Sequence, residues 1–131
     1  MQLSCASNPS LKPSAYGTPL TFNLRLLYAM SEFSTLTTML VTPLLKRRGF
    51  KKHGSFNRSP TSDSAVYRRG DVELCLTLAF HPYDYPDIGI RMEVCDANGI
   101  QFDRLHPPTE GGIEAMLRAV ISDIESAAGG V

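Results

Sequence analysis

The segment His81-Pro82-Tyr83-Asp84-Tyr85-Pro86-Asp87 brings an imidazole, two phenols and two carboxylates into seven residues of a 131-residue chain. An imidazole held against a carboxylate can move a proton, so His81 with Asp84 or Asp87 is a candidate acid–base pair, provided both are oriented toward a substrate. Tyr83 and Tyr85 offer large contact area at little entropic cost, which is the composition of a recognition loop. A third reading is a rigid connection, stiffened by Pro82 and Pro86, whose rings cover a sheet edge. Spacing alone does not supply the geometry an acid–base pair requires. The candidate binding set is therefore His81, Tyr83, Asp84, Tyr85 and Asp87, joined by Arg91 from the strand that follows, and no catalytic residue is assigned.

Other chemistry is thinner. Lys46, Arg47, Arg48, Lys51, Lys52 and His53 form a basic cluster around Gly49. It suits a phosphate or an acidic partner, but positive charge at a helix C-terminus also complements the helix dipole, which is the simpler account. No glycine-rich phosphate loop follows a strand, so nucleotide binding has no support. His53, His81 and His106 lack ligand spacing, and Cys5, Cys75 and Cys95 form no CxxC pair, so neither a metal nor a cofactor is expected. The three cysteines are too scattered for a disulfide framework and read as reduced thiols of a cytoplasmic protein. No serine elbow or catalytic-cysteine signature is present.

Thirteen Lys and Arg balance thirteen Asp and Glu. A chain without net charge is not expected to bind nucleic acid generally, nor to be a polybasic membrane-surface protein. No apolar run approaches the ~20 residues of a membrane span.

The elements that must position these residues follow from periodicity. Phe33, Leu36, Leu40 and Leu44, widened by Val41 and Leu45, predict a helix over 31–48. Pro43 should kink it. Lys46 to Arg48 in the last turn and Gly49 as a left-handed cap, with Phe50 folding back, should end it. A strand over 50–58 with an irregularity at Gly54 comes next, then a polar turn over 59–64 and a strand over 65–69. Gly70-Asp71 reverses the chain. Val72, Leu74, Leu76, Leu78 and Phe80 alternate with Glu73, Cys75, Thr77, Ala79 and His81, a half-buried strand. Ile88, Ile90, Met92 and Val94 alternate with Gly89, Arg91, Glu93 and Cys95 in the next, and a short edge strand is expected over 100–103. Thr109 is a candidate N-cap for a helix over 110–128, whose apolar face is Ile113, Met116, Leu117, Val120, Ile121 and Ile124. The order α-β-β-β-β-(β)-α predicts an α+β two-layer sandwich, an antiparallel sheet with both helices on one face. Thr77, Ala79, Gly89, Arg91, Glu93, Cys75 and Cys95 should then share the open face, with the last two diagonal and unbridged.

Residues 1–29 read as foreign to this domain. Pro9, Pro13 and Pro19 break any periodicity, and Met30 opens a natural helix lead. The expectation is an upstream extension, disordered or non-native, ahead of a single domain over 30–128; a transit peptide is the alternative.

The run Pro43-Leu44-Leu45-Lys46-Arg47-Arg48-Gly49-Phe50-Lys51-Lys52 resembles the opening of small bacterial proteins grouped as domains of unknown function, the 4304-like families. In them a helix ends in Pro-Leu-Leu-Lys-x-x-Gly-Phe-Lys before an antiparallel sheet. The resemblance covers about residues 34–80 and implies a bacterial origin. It brings no catalytic residues. Some members look like relatives of toxin-neutralising immunity proteins, which implies a protein partner. The function expected is thus binding, by contact with another protein or by self-association as a homodimer. A small enzyme built on the His81–Asp87 loop is the alternative.

Overall fold

The computed structural model describes residues 19–59, 61–80, 88–107 and 109–131, with side chains from Leu27 onward apart from Phe80 and Ile88. The chain is α+β, as the periodicity predicts. Helix α1 (Pro19–Leu36) passes through a π-helical turn, Thr37–Val41, into α2 (Thr42–Arg47). Six strands follow: β1 (Lys51–Lys52), β2 (Asn57–Arg58), β3 (Ser62–Arg69), β4 (Val72–Phe80), β5 (Ile88–Asp96) and β6 (Gly99–His106). Helix α3 (Gly112–Glu125) and a short 3₁₀ turn, Ala128–Gly130, complete the described chain. The sheet is antiparallel and open, in the order β1-β3-β4-β5-β6, with β2 also pairing to β3.

The helical lead differs from expectation at its start. It begins at Pro19, not near Ser31, so the boundary expected at Met30 falls inside one continuous helix, with Ala29 and Met30 already buried. Pro43 acts as its chemistry requires. It has no N–H, and its ring collides with the carbonyl four residues back, so a regular turn cannot form there. The chain absorbs one extra residue, and the Thr42 N–H reaches the Thr37 carbonyl. The wider turn carries Thr37 and Val41 inward to full burial and leaves Leu40 part exposed.

The end of α2 matches the sequence reading closely. Gly49 has φ +90°, its N–H donates to the Lys46 carbonyl at 3.0 Å, and the Phe50 N–H donates to the Leu45 carbonyl at 2.9 Å. That double closure is a Schellman cap, and Phe50, 1% exposed, packs back beneath the helix. A Cβ at Gly49 would occupy a left-handed conformation and meet the Arg69 Cδ at 3.2 Å. Gly49→Ala is expected to cost about 1–2 kcal/mol in a urea unfolding titration. An unchanged midpoint would remove the cap from this account.

The expected strand over 50–58 is broken by Gly54 into β1 and β2, which pair separately with β3. β3 starts at Ser62, so the polar turn expected over 59–64 is shorter: Ser62 and Asp63 are buried strand residues. β6 is eight residues long where four were expected. Helix α3 begins at Gly112 without a side-chain cap; the Thr109 carbonyl, not its hydroxyl, takes the Gly112 N–H at 3.0 Å. It ends at Glu125, after which a left-handed Ala127 turns the chain so that Val131 enters the core.

The core lies between one face of the sheet and the helices. Leu74, Leu76, Leu78, Ile90, Met92 and Val94 are fully buried there. Phe33, Val41 and Leu45 cover them from the first helical segment, and Ile113, Met116, Leu117, Val120 and Ile124 from α3. Five of the six apolar positions read for the last helix are buried, and Ile121 lies at the margin.

Candidate functional site

Among the described residues no helix lies on the outer face of the sheet, and the residues of that face follow from the register. Val66, Cys75, Glu93 and Asp103 form one row across β3, β4, β5 and β6; Ser64, Thr77, Arg91 and Leu105 form the next. Glu73 pairs with Cys95 and Cys75 with Glu93, so the two cysteines are diagonal neighbours and not directly opposed. All seven residues read for this face are on it. Cys75 and Thr77 are nonetheless buried, at 8% and 4% exposure.

β6 carries a feature that alternation did not anticipate. Val94 pairs with Phe102 but Cys95 pairs with Ile100, so Gln101 is an extra residue in the edge strand. In a regular strand, residues five apart face opposite sides. The bulge cancels that, and Ile100 shares the outer face with Leu105. They are 61% and 45% exposed, two large apolar side chains on the open edge. Between them the Arg91 Nε and a terminal nitrogen each donate to one Asp103 oxygen at 2.8 Å. Glu93, half-buried beside this pair, makes no ion pair among the described residues.

Electrostatics on the face follow from this crowding. The Arg91 hydrogen bond holds the Asp103 carboxyl below the usual carboxylate range, against partial desolvation. Burial pushes the Cys95 thiol up, helped by Glu93, Glu73 and Asp103. A carboxyl depressed in the fold contributes stability above its unfolded value near ~3.9, lost as the pH falls through the folded value. Asp103→Asn should therefore destabilise slightly at neutral pH, by up to about 1 kcal/mol since the pair is solvent-screened. The gap to the parent should close as denaturation is repeated at successively lower pH.

Of the candidate binding residues, Arg91 lies on this face. His81, Tyr83, Asp84, Tyr85 and Asp87 lie outside the described residues. Gly89, next to that loop, permits close packing: a Cβ there would sit 3.1 Å from Leu105 Cδ1 and 3.2 Å from the His106 carbonyl oxygen.

Two polar clusters escaped the sequence reading. On the helix side of β6, His106 Nε2 lies 2.9 Å from one Asp123 oxygen and Arg104 donates to the other at 2.9 Å, tying the edge strand to α3. His106 and Asp123 are each 8% exposed. With both carboxylate oxygens occupied, and no hydroxyl or thiol of the described residues bonded to the imidazole, the arrangement is a tether. At the other edge, Asp63, with no exposed surface, accepts two hydrogen bonds from Arg58 at 2.8 and 3.2 Å and one from the Ser64 N–H at 3.0 Å. Lys52 lies nearby with its ammonium 4.2 Å over the Phe56 ring; desolvation lowers its pKa and Asp63 opposes that shift. A single acid–residue spacing signal existed for the second cluster, Arg58 five residues before Asp63; none existed for the first.

Among the described residues no group of three or more His, Cys, Asp or Glu could hold a metal ion, and no helix is long and apolar enough to cross a membrane. A groove of about 420 Å³ between α1 and α3, lined by Tyr28, Ser31, Glu32, Thr35, Leu36 and Glu114, is wide open and holds no convergent set of polar groups. No protein-family model matches the chain, and no curated protein or solved structure matches it.

Proposed function

We propose that this chain is a protein-binding module that works through the outer face of its sheet, in the manner of a small immunity protein covering the surface of its target. The observation that carries the reading is the bulge in β6. It turns Ile100 and Leu105 onto one face that no described element covers, on the strand that forms the edge of the sheet among the described residues. Apolar side chains at an open edge are a liability unless something covers them. Arg91, Asp103 and Glu93 between them supply the polar contacts that orient a partner. The resemblance of the Pro43–Lys52 run to small bacterial domains of unknown function points the same way.

The test uses Ile100→Glu with Leu105→Glu, since both side chains are exposed and the change leaves the core intact. Substitution at Gly89 is unsuitable, because the Leu105 and His106 contacts leave no room for a side chain. Parent and variant are compared by light scattering and by capture from the source cell, with far-UV dichroism as the fold control. The expected result is that a specific captured protein, or a second copy of the chain, is lost from the variant while the fold persists. Identical mass and identical capture would refute the reading.

A further inference from the structure

Ion pairing among the cations is uneven. Of the eleven Lys and Arg side chains described, Arg58, Arg68, Arg91, Arg104 and Arg118 each hold a carboxylate within 4.0 Å. The other six are Lys46, Arg47, Arg48, Lys51, Lys52 and Arg69, and all lie at one end of the molecule. The Lys46 carbonyl takes the Gly49 N–H, Lys51 and Lys52 pair with Arg68 and Tyr67 across the sheet, and Arg69 donates to the Arg48 carbonyl at 2.9 Å. The Arg69 guanidinium also lies 4.4 Å over the buried Phe50 ring.

Main-chain oxygens meet the hydrogen bonds of Arg48 and Arg69, Lys52 is drawn toward Asp63, and Lys46, Arg47 and Lys51 hold no carboxylate within 4.0 Å among the described residues. Arg48 donates to the main-chain oxygens of Val131 and Glu125, and Arg69 to the carbonyls of Arg48 and Gly130. Carbonyls are dipoles and leave a whole positive charge on the Arg69 guanidinium. Asp71, two residues from Arg69 in sequence, and Glu125, whose carbonyl Arg48 reaches, make no ion pair among the described residues. Residues 1–18 contain no Asp or Glu. The helix dipole accounts for Lys46 and Arg47, in the last turn of α2. It does not account for Lys51 and Arg69, which are strand residues. Lys51 stands directly opposite Arg68, an unfavourable like-charge pair. In a chain of zero formal net charge, the described cations without a carboxylate within 4.0 Å thus lie in and beside the turn from α2 into β1.

We infer that this end of the molecule is a second docking surface, one that receives a carboxylate-rich segment of another protein. Lys46, Arg47 and Lys51 are exposed and reach the partner first; Arg48 and Arg69 are already held in place by backbone carbonyls. The surface is a poor match for nucleic acid. Single-stranded chains are held by aromatic platforms along a groove, whereas Phe50 is buried and capped by Arg69, and the Phe56 ring lies under the Lys52 ammonium at 4.2 Å.

The probe is a fluorescein-labelled peptide of alternating Glu and Gly, read by anisotropy at low salt, with a single-stranded DNA oligonucleotide of equal charge as comparator. The parent should bind the peptide saturably, more weakly as salt rises. Lys46→Ala with Arg47→Ala and Lys51→Ala should weaken binding about tenfold or more. Arg118→Ala, and Ile100→Glu with Leu105→Glu, should leave it unchanged, which separates this surface from the β6 edge of the outer sheet face. Amide shifts in the titrated parent should be confined to residues 46–52 and 69, a readout that needs no variant to fold. Absence of peptide binding, shifts elsewhere, or equal loss in the Arg118 variant would overturn the inference. Tighter binding of the oligonucleotide than of the peptide would overturn it too.

Discussion

Phe33→Ala is expected to destabilise the domain by about 3–5 kcal/mol, the largest effect of any single truncation in the first helical segment. Phe33 has no exposed surface, and its ring meets Phe56 edge-on at 5.9 Å, with an interplanar angle of 83°. Removing it opens a cavity between α1 and the β1–β2 segment, bounded by Met30 and by the sheet, which cannot collapse without moving the helix. The edge-to-face contact adds ~0.5–1.5 kcal/mol beyond burial. Urea unfolding at constant m-value gives the number directly. Tyr28→Ala, one turn earlier and 78% exposed, should stay within about 0.5 kcal/mol of the parent and serves as the control. A loss below about 1 kcal/mol for Phe33→Ala would mean that α1 rests on the surface and does not complete the core.

Arg58→Met should cost about 3 kcal/mol, although Arg58 is itself 44% exposed, because of what it leaves behind. Asp63 has no solvent-accessible surface, and without the guanidinium it retains one backbone N–H as partner. A buried carboxylate so stripped is far more costly than the exposed pair it came from. Arg58 also reaches the Met30 carbonyl at 3.4 Å, so the pair links β2 and β3 to α1. The double variant Arg58→Met with Asp63→Leu removes both charges and should recover most of the loss, since an apolar pair of similar volume replaces an ion pair at little net cost. Chemical denaturation of the four proteins of this cycle decides the matter. A double variant as unstable as the single one would place the cost in lost packing of the arginine stem.

Both results concern contacts that local sequence could not reveal. Asp63 sits among Ser59, Pro60, Thr61, Ser62 and Ser64, a composition that reads as a solvated turn. It becomes a buried strand residue only because Arg58, from the other side of that turn, is brought over it. His106 and Asp123 are seventeen positions apart and meet because β6 runs alongside α3. The same holds for α1, whose first turns lack the clean stripe that marks a helix. Ala29 and Met30 are buried by the rest of the fold, not by anything local.

What the chain settles by itself are the features whose causes lie within a few residues. Alternation in Val72–Phe80 and Ile88–Asp96 sets which side chains face the core, because side chains in a strand must take opposite sides in turn. Gly49 after three cations ends a helix, because only glycine takes φ +90° without strain. Pro43 forces an irregular turn wherever its helix lies. Tertiary structure alone decided which polar residues are buried, where β6 bulges and which cations remain unneutralised. Burial and charge pairing depend on partners tens of residues away, and a strand's register is chosen by the sheet it joins.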